Sequence, residues 1–250
     1  TLVLVGCGKA KRDPSDPTDL HVAAVGEDEP VNNLPHARTG PLWRAEDLYT
    51  ATYFRSKREF AEAVTRWDGD TDTTPWAILS AEHRVLYPWE LVEPYDTRID
   101  DIGDDPTAAE DRVSNSFLRR RPDGEEIVTE MDQWAAGVAQ GLAKWLAMFR
   151  DASADPAFTS EAKTLLVLAG QDYIEPLRQR GVFEYGISRM AGDVNEMYEL
   201  PVNVRFLFEE IDAGGNGEQM AWLSDVIETL DDGPEATEQQ ELAAGGGRDA

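Results

Sequence analysis

Trp76-Ala77-Ile78-Leu79-Ser80-Ala81-Glu82-His83-Arg84-Val85-Leu86-Tyr87-Pro88 changes character after Leu79. Its first four residues are a wholly apolar run, the pattern of a strand buried on both faces. The next four deliver Ser80, Glu82 and His83. A buried strand that empties into a polar turn is how α/β proteins place ligand groups at the carboxyl edge of a sheet. Glu93-Pro94-Tyr95-Asp96 follows closely and adds two carboxylates and a phenol.

Two further stretches share this form. Leu2-Val3-Leu4-Val5 runs into Gly6-Cys7-Gly8-Lys9-Ala10-Lys11, and Thr164 to Ala169 runs into Gly170-Gln171-Asp172-Tyr173. Between these runs lie segments of helical spacing. Ala45 to Trp67 carries Leu48, Phe54, Phe60, Ala61, Val64 and Trp67 near that period. Thr129 to Phe149 carries a longer stripe through Trp134, Val138, Leu142 and Trp145, which reads as core. Glu218 to Leu230 repeats the pattern, and Ile174 to Leu177 opens a short helix. Buried runs alternating with helices predict an α/β fold, a mostly parallel sheet flanked by helices. One domain is expected over 1–230, with loop insertions at 12–41 and 97–160. The second insertion would hold a short helix over 107–121. From Asp231 the chain is Glu, Gln, Gly and Ala, so 231–250 reads as a disordered acidic tail.

Charge is the unusual feature of the composition. Asp and Glu number 49 against 23 Lys and Arg, for a net −26, and only 5 of the 23 cations are lysine. Acid spread along the whole chain with lysine nearly excluded is the pattern of a halophilic protein, because carboxylates hold hydration at high salt. In molar salt the Debye length is about 3 Å, so overall charge does not exclude nucleic acid and only local basic clusters count. Three clusters exist: Lys9 to Arg12, Arg55 to Arg58, and Arg119-Arg120-Arg121. The single cysteine, Cys7, excludes an internal disulfide and a cysteine-based zinc site. His21, His36 and His83 are far apart, so no metal and no cofactor are expected. No run approaches the roughly 20 apolar residues of a membrane span. The chain starts directly in a strand, so a cytoplasmic protein with no membrane partner is expected.

The site reading follows from residue chemistry. Gly6 and Gly8 let the backbone turn tightly and approach a ligand. Cys7, Lys9 and Lys11 complete a candidate anion-binding turn. It is neither a P-loop nor a dinucleotide fingerprint. Tyr49 and Thr50 can donate hydrogen bonds, and Tyr95 can stack on a base. His83 titrates near neutrality and is the candidate proton carrier, with Glu93 or Asp96 to orient it or act as a second acid or base. Ser80 is a candidate nucleophile, though not in a Gly-x-Ser-x-Gly setting. Aligned strand ends would bring Lys9, Ser80, His83 and Gly170 to one crevice.

These blocks, in this order, resemble a YaaA-like family of domains of unknown function. The likeness covers residues 2–11, 45–96 and 164–224. It includes Gly217-Glu218-Gln219-Met220-Ala221-Trp222-Leu223. The family pattern has Ser-Ala-Lys-His-Gly-Leu-Leu in the focal block; here Glu82 stands for the lysine and Arg84 for the glycine. The second change questions a tight turn after His83, since arginine resists positive φ. The resemblance implies association with oxidative stress and DNA binding, and no agreed reaction. Separately, Gly170-Gln171-Asp172-Tyr173 resembles the water-activating motif of uracil-DNA glycosylases, without its proline. Two readings follow. One is an enzyme acting on a nucleobase or nucleotide-like substrate, free or within nucleic acid, with N-glycosidic hydrolysis its most concrete form and Asp172 beside the water. The other is a non-catalytic nucleic-acid-binding or stress-response protein using its arginine clusters. A small-molecule sensor is a third, and the oligomeric state is left open.

Overall fold

The computed structural model describes residues 1–13, 42–66, 74–106, 121–151, 163–186, 202–211 and 213–231. The expected helix over 107–121, most of the 12–41 insertion and the acidic tail lie outside the described residues, apart from their first or last few positions. His21 and His36 lie outside them as well.

Leu2–Gly6 forms β1, the central strand, buried at every position. It pairs in parallel with β3 (Trp76–Ser80) on one side and with β6 (Lys163–Leu168) on the other. Beyond β6, β7 (Val202–Phe206) is again parallel. Beyond β3, β4 (Arg84–Leu86) is antiparallel, closing the order β4-β3-β1-β6-β7. This is the mixed α/β architecture that the alternation predicts, and the antiparallel edge is an addition to it. A small second sheet pairs β2 (Trp43–Arg44) with β5 (Leu91–Val92).

The period of two along β1 divides the core. Leu2 and Leu4 face α3 (Glu130–Asp151) and α4 (Gln171–Gln179); Val3 and Val5 face α1 (Ala45–Leu48) and α2 (Thr52–Thr65). Leu207 of α5 (Leu207–Glu210) and Leu223 of α6 (Asn216–Asp231) join the second face. Helix α3 lies inside the span read as an insertion, 97–160, yet supplies most of the first face. Its Trp134 indole donates to the Ser80 carbonyl at 3.0 Å, and its Trp145 indole donates to the Thr74 carbonyl at 2.9 Å, so the helix is pinned to both ends of β3. It lies close to β4 because Gly141 faces Val85, where an added Cβ would come within 2.8 Å of the valine side chain.

A buried ion pair ties α3 to α4. The Arg180 guanidinium donates to Asp132 Oδ1 at 2.7 Å, and both side chains are buried. Burial alone would raise the Asp132 carboxyl. Hydrogen bonds from the backbone N–H groups of Val128 and Thr129, together with Arg180, outweigh it and hold the carboxyl below its usual range.

The segment expected as one helix from Ala45 to Trp67 is two. Tyr49 is extended, bridges to Lys11 in antiparallel fashion, and Thr50 N–H donates to the Ala10 carbonyl at 3.0 Å. Pairing with the chain after β1 overrides local helix preference there. Helix α2 then ends at Thr65, with Arg66 in the left-handed region. Helix α4 begins at Gln171, earlier than the expected Ile174, directly behind the Gly170 turn.

Candidate functional site

Chain connectivity decides where a ligand can enter. After β1 the chain leaves toward α2, on one face of the sheet. After β6 it leaves toward α4, on the other. Two neighbouring parallel strands whose exits diverge leave a crevice at their carboxyl ends, the usual ligand position in open α/β sheets. A cavity of about 620 Å³ lies there. That is within the roughly 300–1,000 Å³ range of small-molecule sites. Gly6, Cys7, Gly8 and Lys9 form one side of its floor, and Ala169 to Tyr173 the other. At Gly6 an added Cβ would stand 3.0 Å from Ala169, tighter than side chains ordinarily approach, so glycine lets the two strand ends close beneath the cavity without a shift. Ala51, Tyr53, Phe54 and Lys57 make the α2 wall. Thr97 to Asp100 make the opposite rim, and Phe208, Asn216 and Gln219 contribute from the α5 and α6 side.

Three of the five lysines, Lys9, Lys11 and Lys57, line this one cavity. Lys57 is buried, and its ammonium donates to the Gly6 carbonyl at 2.6 Å while lying 4.5 Å from the Tyr53 ring centroid. Burial lowers it from 10.5 to about 8, against Cys7, which raises it. Lys11 sits 4.1 Å from the Tyr95 ring centroid. Burial lowers it too, with Cys7 and Asp96 pulling upward and Arg98 adding to the lowering.

Behind the floor is a chain of hydroxyl groups. The Cys7 thiol lies 3.1 Å from the Tyr173 hydroxyl. The Tyr95 hydroxyl is 2.6 Å from that of Tyr49 and 2.7 Å from Ser80 Oγ, which also accepts the His83 N–H at 3.0 Å. Burial first, and then Cys7, raise Tyr49, Tyr95 and Tyr173, so these phenols stay protonated through the physiological range. Burial likewise pushes Tyr53 up to about 12, and its hydroxyl donates to Gln219 Oε1.

The predicted site residues therefore fall into three groups: cavity lining, a second layer behind it, and residues in neither. Gly6, Cys7, Gly8, Lys9, Lys11, Gly170 and Asp172 line the cavity, as does Gln171. Tyr49, Tyr95 and Ser80 form a second layer; Ser80 is fully buried with its hydroxyl engaged on both sides. Thr50 supports the backbone pairing with Ala10. His83 does not line the cavity. It stands in the three-residue turn between β3 and β4, its ring edge-on to Tyr95 at 5.0 Å. The stretch that follows β3 is thus a hairpin, not an open loop, and Arg84 closes it at φ 67°. The turn questioned from the Gly-to-Arg difference is kept, with arginine in the left-handed region and its side chain laid over Gly137. Glu93 is half-buried just after β5 and Asp96 is exposed; neither lines the cavity, although Asp96 acts on Lys11. Among the described residues no cluster of His, Cys, Asp and Glu is arranged to hold a metal.

Lys57, Tyr53, Tyr173 and Gln219 were not marked from sequence as site residues. The signal for Lys57 is its helical register. It falls on the buried face of α2 with Phe54, Phe60 and Ala61, where a lysine is out of place.

Fold and site together define a doubly wound α/β protein with a cationic cavity at its switch point. The chain belongs to a family of unknown function, DUF6884, whose model matches residues 38–184. That span holds β3, the focal hairpin and the Gly170 turn, while the Gly6 to Lys11 turn lies before it. No curated protein and no solved structure matches the chain.

Proposed function

We propose that the protein is an enzyme acting on a nucleobase or nucleotide-like substrate held in the switch-point cavity. One observation carries the reading: a chain of net −26 with five lysines gathers three of them around one cavity. Together with the glycine turn of β1, they suit a phosphate. Tyr53 and Phe208, stacked at 6.0 Å and 29°, offer an aromatic wall for a base. Asp172, exposed at the start of α4, offers a carboxylate to a water above the floor. In N-glycosidic hydrolysis that water adds to the anomeric carbon and Asp172 takes its proton. The base leaves with the C–N electron pair and is protonated from solvent. The likeness to YaaA-like domains agrees with a nucleic-acid-related substrate. The acid-rich, lysine-poor composition agrees with a halophilic, cytoplasmic setting.

The non-catalytic nucleic-acid reading has less support, because two of its cations are committed elsewhere. Arg58 is paired with Glu46, Asp47 and Glu62, and Arg121 with Asp123 and Asp132.

Incubation in molar potassium chloride with nucleoside 5′-monophosphates and with DNA carrying modified bases tests the proposal. Released base should be detected chromatographically and should disappear in Asp172→Asn, while ligand-induced thermal stabilisation persists. Absence of both released base and stabilisation would overturn it.

A further inference from the structure

We propose that Lys57 is a reactive amine that forms an imine with an anionic ligand carrying an aldehyde or ketone. The proposal rests on the cavity being the ligand site, and does not require glycosidic cleavage.

The setting of Lys57 differs from that of the buried Arg180 and the half-buried Arg58. Arg180 is paired with Asp132 and Asp104, and Arg58 with three carboxylates. Among the described residues no carboxylate pairs with Lys57, although acids outnumber bases 49 to 23 along the chain. Among the described residues it donates one hydrogen bond, to the Gly6 carbonyl, and it lies against the face of Tyr53. A buried ammonium with no counter-charge is costly, whereas a buried neutral amine is not. The neutral amine keeps a lone pair, and desolvated lysines are activated nucleophiles for this reason. With its value at about 8, Lys57 holds on the order of a hundredfold more free amine at neutral pH than an ordinary lysine.

The rest of the cavity suits the reaction. Lys9 and Lys11, on the β1 turn, supply charge for a phosphate or carboxylate. The phenols of Tyr53 and Tyr173 remain protonated and line the same space. The Lys57 nitrogen adds to the carbonyl carbon, forming a C–N bond, and the carbonyl π pair moves to oxygen, which takes one of the two protons on nitrogen to give a neutral carbinolamine. The carbinolamine then loses its hydroxyl group as water with a proton from a phenol, and nitrogen gives up its proton, which restores the phenol. The net change is amine plus carbonyl to imine plus water. An open-chain sugar phosphate, the product of glycosidic hydrolysis of a nucleotide, belongs to this ligand class.

Pyridoxal 5′-phosphate serves as a phosphorylated aldehyde probe, followed by borohydride reduction and peptide mapping of the wild-type chain. The expected result is one reduced adduct at Lys57, formed at least about tenfold faster than at Lys144, as its larger free-amine fraction requires. Pyridoxal without the phosphate should label it more slowly. Lys57→Arg should take no adduct in the cavity. Equal labelling of all lysines, or an adduct on Lys9 or Lys11 with none on Lys57, would overturn the proposal, and mapping decides this whether or not the variant folds. Adenosine 5′-monophosphate separates the two readings. Lys57 labelling without protection upholds the imine and counts against the nucleotide substrate. Thermal stabilisation by the nucleotide with no Lys57 labelling does the reverse.

Discussion

The ammonium nitrogen of Lys57 lies 2.6 Å from the carbonyl oxygen of Gly6, the residue at which the central strand ends. This places a buried cation against the end of β1, where it opposes stability. In the unfolded chain the lysine titrates near 10.5 and in the folded protein at about 8. Between those values the unfolded state holds a proton that the folded state lacks, so stability rises with pH across that window. The full penalty applies below pH 8 and amounts to roughly 3 kcal/mol. Lys57→Met should therefore be more stable than wild type at neutral pH, by about 1–3 kcal/mol after loss of the hydrogen bond. Urea titrations of both proteins from pH 7 to 9.5 provide the check, and the gap should narrow as pH rises. Parallel curves would show that Lys57 is not titrating there.

Asp132 has the opposite sign. Its carboxyl is held below its unfolded value, so its stabilising contribution is present above that value and is lost as pH falls through the lower, folded one. Asp132→Asn removes the buried charge partner of Arg180 and leaves it the exposed Asp104. A loss of about 3 kcal/mol is expected, from a buried cation left only partly compensated. Denaturation of the variant should also show a shallower acid limb than wild type.

Tyr95 is the hub of the hydroxyl layer. Tyr95→Phe removes the partner of the buried Tyr49 hydroxyl and one of the two partners of Ser80 Oγ. A cost of about 1–3 kcal/mol is expected for the unsatisfied group. Lys11 should keep its aromatic contact, so anion affinity measured by thermal shift should change less in this variant than in Lys11→Ala.

Arg84→Gly should be neutral or stabilising, by about 1 kcal/mol, because it relieves a left-handed non-glycine residue. The loss of the arginine stem over Gly137 works against this gain. Thermal melts decide the sign, and a loss well beyond 1 kcal/mol would show that packing dominates strain.

The strands of the parallel core were legible because burial on both faces leaves unbroken apolar runs such as Leu2 to Val5 and Trp76 to Leu79. Helix α3 was legible because its stripe persists for many turns. The break at Tyr49 was not, since its cause is a pairing with Lys11 that is remote in sequence. Strand β4 is three residues long and starts at a left-handed arginine, which leaves no periodicity to read. The glycine turns found the cavity floor, because tight turns and close approach constrain residue type directly. His83 drew attention through its chemistry, yet cavity lining depends on which way a hairpin folds. Lys57, inside the basic cluster Arg55 to Arg58, needed its neighbours' burial before its own position carried meaning.

The two indoles of α3 that pin β3 have an optical consequence. The Trp134 ring is 5.9 Å from that of Tyr173, whose hydroxyl meets the Cys7 thiol on the cavity floor. Trp145, eleven residues further along the same helix, donates at the far end of β3, at Thr74. One tryptophan is thus coupled to the floor while a second on the same rigid rod stands away from it. The chain has seven tryptophans, so comparison of wild type with Trp134→Phe isolates the signal of the one beside the floor, and occupancy of the cavity is then followed by fluorescence without any added label.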